Sequence, residues 1–105
     1  MNNLKCQWSL DKFEAYSHIV LDGMGPYVVV RGEGVCPTTG YAAHLEESGS
    51  DADTLRVRIV EDAPGGVASS VLTDTPVTEF RAVSEAKHVE IEGVGTLRVA
   101  QRYDD

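Results

Sequence analysis

The sequence predicts an all-β fold, an antiparallel two-sheet β-sandwich of about eight short strands, formed as one domain over residues 1–105. Three observations predict it. Apolar residues recur with a period of two, as where Leu55, Val57 and Ile59 alternate with Arg56 and Arg58. Clusters of Gly, Pro and Asp interrupt that alternation every ~8–12 residues. No strand and helix patterns alternate in the way a parallel α/β sheet requires.

The elements follow in order. Leu4, Cys6, Trp8 and Leu10 alternate with Lys5, Gln7 and Ser9, so a strand with one buried face opens the chain. Asp11 to Tyr16 admits two readings, since Asp11-Lys12-Phe13-Glu14 has the form of a capping box opening a short helix. The β-branched pair Ile19-Val20 and the turn chemistry of Asp22-Gly23-Met24-Gly25-Pro26 favour a hairpin instead, leading into Tyr27 to Val30. Pro37 biases Cys36 toward extended backbone and ends that strand, and Gly40 restarts the chain at Tyr41. Tyr41, Ala43 and Leu45 then share one face, with Ala42, His44 and Glu46 on the other.

Glu47 to Asp53 reads as a polar loop, and Leu55 to Ile59 as the clearest strand. Ala63-Pro64-Gly65-Gly66 ends it. A strand over Val67 to Leu72 is expected next, broken by Asp74-Thr75-Pro76 and followed by Val77 to Val83. The closing hairpin carries Val89 and Ile91, a turn at Gly93-Val94-Gly95, then Leu97 and Val99, with a fraying tail from Arg102 to Asp105. The expected interior holds Leu55, Val57, Ile59, Val89, Ile91, Leu97 and Val99, together with Trp8 and Tyr41.

Composition narrows the function classes. Apolar residues make up 42% and charged residues 25%, values of a folding chain and not of a disordered one. Nine Lys and Arg stand against 17 Asp and Glu, a net charge of −8, with no basic cluster to neutralise phosphates, which argues against nucleic acid as a partner. No apolar run approaches the ~18 residues of a membrane-spanning helix, and Met1 to Gln7 shows no apolar core of a signal peptide. A cytoplasmic location without membrane association is the expectation.

Two cysteines, Cys6 and Cys36, lie far outside C-x-x-C spacing, so they are expected as two free thiols, Cys6 shielded and Cys36 partly accessible. A thiol enzyme would use Cys36 with one of His18, His44 or His88 as its base. A metal site would use His88, Glu90 and Glu92, which alternation places on one face of a strand, with His44 and Glu46 as possible neighbours. Against both, Val89 and Ile91 need only a wet opposite face, and no family signature surrounds Cys36. Asp51-Ala52-Asp53 lacks the rest of a calcium loop, and three G-x-G triplets lack the extension of a phosphate cradle. No cofactor is expected. The resulting expectation is a non-catalytic domain, with no catalytic or metal residues assigned. It would bind a protein partner, or itself, through loops or an edge strand. The alternative is a metal-dependent or thiol enzyme using His88 and Glu90 or Cys36.

The runs "CPTTGYAAHL" and "LRVRIVEDAPGGVASSVLTDTPV" resemble small bacterial immunoglobulin-like β-sandwich domains. They are also similar to the C-terminal domain of a group of bacterial protease-complex proteins, at Gly40 and Tyr41, Pro64 and Gly65, and Thr75 and Pro76. About half the chain carries this resemblance, mostly through turn residues. It implies the sandwich fold and leaves the activity open.

Overall fold

A computed structural model describes residues 4–19, 26–66 and 68–103. Among these residues the fold is all-β, with eight strands and no helix. In chain order they are β1 (Gln7–Ile19), β2 (Tyr27–Cys36), β3 (Ala42–Ser50), β4 (Thr54–Asp62), β5 (Thr73–Val83), β6 (His88–Ile91), β7 (Gly95–Arg98) and β8 (Ala100–Tyr103).

The strands form one sheet in the order β7-β6-β4-β3-β5-β2-β1-β8. Its two end strands are joined through a single residue, Val99. The sheet therefore curls into a nearly closed barrel, and the expected two-sheet antiparallel sandwich is corrected. Three of the pairings, β1 with β8, β3 with β5 and β4 with β6, are parallel. Side-chain alternation could not separate the two architectures, because both present one face inward at every second residue.

Closure depends on a bend in β1. From Trp8 to Phe13 this strand advances five positions while β2 advances two, from Gly34 to Gly32. The residues between bulge out, so Asp11 to Tyr16 is strand and not helix. Beyond the bend, Tyr16 to Ile19 pair with Ala100 to Tyr103, which corrects the frayed tail for Arg102 and Tyr103. Before the bend, Leu10 packs against Gly95 of β7, where a Cβ would lie 2.9 Å from Leu10 Cδ2. One strand thus touches both ends of the sheet. The expected hairpin turn falls mostly on residues 20–25, outside the described residues.

Leu55, Val57, Ile59, Val89 and Ile91 are buried as expected, with Phe13, Ala15, Val28, Val30, Leu45 and Val77 around them. Trp8, Leu97 and Val99 pack against this core while partly exposed. Tyr41 does not join it, and sits half-exposed at the barrel rim. The polar segment after Glu46 is also less of a loop than expected, since β3 runs to Ser50 with an irregularity between Glu47 and Gly49. Ala68 to Leu72 form no strand, and Val67 lies outside the described residues. Asp74 to Pro76 belong to β5, pairing with Val35 to Glu33. Pro76 is tolerated there because β5 reaches its other neighbour only at Val77, so the missing N–H breaks no second ladder.

The N-terminal segment covers one mouth of the barrel. Glu61 is an inward position of β4, and a carboxylate facing a barrel interior needs donors. It accepts hydrogen bonds from Lys5 N (2.7 Å), Cys6 N (3.0 Å) and Trp8 Nε1 (2.8 Å). A Cys6–Cys36 disulfide ties the same segment to the end of β2. The expectation of two free thiols is thereby overturned, and so is that of a partly accessible Cys36, which is fully buried. Spacing along the chain hid the pairing, because antiparallel β1 and β2 bring the two cysteines together from 30 residues apart.

Candidate functional site

The sequence candidates for chemistry do not converge. His88 lies beside Thr54 on β4, whereas His44 lies beside Val60 on the other side of that strand. Six residues of strand separate the two levels, about 20 Å. The carboxylates between them already have partners: Arg56 binds Glu90 (3.4 Å) and Asp51 (2.9 Å), and Arg58 binds Glu46 (2.8 Å). Hydrogen bonds from Arg58 and then His44 hold the Glu46 carboxyl below its ordinary 4.5. Among the described residues no group of three or more His, Cys, Asp or Glu is placed to hold a metal ion. Cys36 carries its sulfur in the disulfide. Among the same residues no helix is long and apolar enough to cross a membrane.

A different feature emerges where β3 meets β5. These parallel strands share one ladder position, Ala43 with Val77. From there they run on in the same direction, β3 to Ser50 and β5 to Val83, with no further pairing among the described residues. The barrel wall is therefore a seam with two strand edges facing each other. Leu45 on one side and Phe80 and Ala82 on the other pack into the core behind it, with Ala86 from the following connection. Apolar side chains seal the interior while the strand edges remain unmatched.

The outer surface beside the seam is set by a second irregularity. Val77 and Phe80 both face inward, so the alternation of β5 is reset between them, opposite the register shift from Val30 to Gly32 in β2. Strict alternation from Val77 would turn Val83 inward; the reset turns it outward, 74% exposed. Val83 sits opposite Tyr27. Tyr27 stacks on His18 with ring centroids 5.4 Å apart, and the Arg81 guanidinium lies 5.6 Å from the Tyr27 centroid. Glu79 binds both Arg81 (2.7 Å) and Arg31 (3.2 Å), and its hydrogen bond raises the pKa of Arg81. The end of the seam thus presents an exposed valine beside a rigid aromatic and cationic layer.

Sequence reasoning named an edge strand without saying which. The signal it passed over was Thr78-Glu79, two polar residues between inward Val77 and Phe80, which mark the reset. No protein-family model matches the chain, and neither a curated protein nor a solved structure is similar to it.

Proposed function

We propose that the protein is a non-catalytic protein-binding module that takes an extended segment of a partner along the seam between β3 and β5. One observation carries this reading: the two strands share a single ladder position and then offer facing edges, His44 to Ser50 and Thr78 to Val83. Unpaired strand edges recruit extended peptides through backbone hydrogen bonds, and side-chain pockets beside them give specificity. Val83 and Tyr27 supply the apolar contact. A net charge of −8 favours a basic partner by long-range attraction.

The disulfide supports a location where thiols are oxidised, in place of the cytoplasm expected from the first residues. Gly40 and Pro64, two of the positions shared with the protease-complex domains, pack together here, as a Cβ on Gly40 would lie 2.8 Å from Pro64 Cβ. That contact is compatible with the resemblance and bears on the rim alone.

Photo-crosslinking residues placed at Val83 and, as a control, at the equally exposed Leu72 test the reading in extracts of the source cells. Adducts at Val83 that are absent at Leu72, and lost when Thr78→Pro removes a donor from the β5 edge, are expected. Equal capture at both positions, or none at Val83, refutes the seam as a docking site. Sedimentation over a range of concentrations tells a second copy of the chain from a foreign partner.

A further inference from the structure

Away from the seam, the chain passes from β7 to β8 along a cavity of about 620 Å³, lined by Lys87, Arg98, Val99, Ala100 and Gln101. Its size falls within the range of small-molecule sites, roughly 300–1,000 Å³. Two of its five lining residues are cations, and none is an acid. The backbone that holds them is anchored, since Val99 N–H donates to the Lys87 carbonyl at 2.8 Å while Lys87 and His88 N–H both donate to Asp53 O.

The pairing of charges elsewhere makes this unusual. Arg31, Arg56, Arg58 and Arg81 each have a carboxylate within 3.4 Å. A chain with 17 acids and nine basic residues has carboxylates to spare for every arginine. Yet neither Arg98 nor Lys87 has an ion pair among the described residues. The nearest acids by position, Asp53 and Glu85, line a separate adjoining cavity that shares Lys87, Val99 and Gln101 with this one.

We infer that this cavity binds a small organic oxyanion, a carboxylate or a phosphate, with Arg98 and Lys87 as its charge partners. The planar guanidinium presents parallel N–H donors that match two oxygens of one such group, and the ammonium adds a point charge. Val99 and Ala100 give the rest of the molecule an apolar wall. Two cations suit a single anionic group and not a nucleic-acid backbone, which needs a track of them.

Titration of the isotopically labelled protein with inorganic phosphate and, separately, with succinate tests the site by amide and arginine side-chain NMR. Sodium chloride at matched ionic strength is the control. Saturable shifts centred on Arg98 Nε–H and the amides of Val99, Ala100 and Gln101 are expected, and the tighter of the two probes identifies the preferred oxyanion. Arg98→Gln and Lys87→Gln should each weaken binding by about tenfold or more, the loss of a charge-assisted hydrogen bond. Arg58→Gln, which removes an already paired cation, should leave it unchanged. Shifts that never saturate, that chloride reproduces, or that survive Arg98→Gln would reduce the effect to ionic screening and overturn the assignment. Unchanged thermal melting of the variants separates lost binding from lost folding.

Discussion

Glu61 shows how one side chain organises a barrel mouth. An inward carboxylate would ordinarily cost several kcal/mol as an unpaired charge, yet its three donors come from the segment that must be held in place. Glu61→Ala leaves two backbone N–H groups and the Trp8 indole without an acceptor. It should cost about 2–3 kcal/mol, read from the urea midpoint. Glu61→Gln keeps one acceptor oxygen and should cost less. Equal losses for both variants would mean that packing around Trp8, and not the hydrogen bonds, holds the segment. Glu61 was not legible from its neighbours Val60 and Asp62, because alternation marks a position as inward without saying that donors wait there. Glu46 is the contrasting case, a solvent-exposed carboxylate whose depressed pKa records the neighbouring Arg58 and contributes little to stability.

Strand irregularities decide more here than strand propensities. The strands themselves were legible where alternation is strict, as in β4 and β6, because a one-residue slip would turn Leu55, Val57 and Ile59 to solvent. The bend in β1 and the reset in β5 were not, since a bulge violates the very periodicity used to read a strand. Two glycines of β2 accommodate the bend: Phe13 lies over Gly32 and Trp8 over Gly34, leaving no room for a Cβ at either. At Gly34 an added Cβ would also meet the Gln7 carbonyl at 2.7 Å, and backbone cannot swing aside as a ring can. Gly34→Ala should therefore destabilise by about 1–3 kcal/mol through overpacking. Gly49→Ala, where nothing lies within 4 Å, should stay within about 0.5 kcal/mol of the parent. Urea denaturation of the two variants side by side checks the contrast. A neutral Gly34→Ala would show that β1 shifts freely over β2, and would remove the stated reason for the bend.

At the scale of the whole molecule, the difference between sandwich and barrel comes from the connection at Val99. A chain end that simply finished the β6–β7 hairpin would leave two free sheet edges, whereas continuation into β8 carries the same segment across to β1. No local pattern encodes that crossing, which is why the all-β class was legible and the closure was not. The seam shares this property, because it depends on where β3 and β5 part and not on their composition.

Closure also leaves β1 held by β2, by a four-residue parallel pairing with β8 and by the disulfide, so the bridge bears on the global fold. It links residues 30 apart, and in the chain-entropy account a loop of that length contributes about 3–4 kcal/mol by restricting the unfolded chain. A domain of this size typically has only about 5–15 kcal/mol in total. Reduction, or the paired replacement Cys6→Ser with Cys36→Ser, should therefore lower the urea midpoint sharply while leaving the strand signature of the folded protein intact. Alkylation of the native protein without reductant should give no label, because both sulfurs are shielded as well as bonded. Rapid labelling of the untreated native protein would mean that the thiols are free in solution, and the proposed oxidising location would lose its support. Reduction that leaves the midpoint unchanged would instead show that Glu61 and the β8 pairing hold β1 without the bridge.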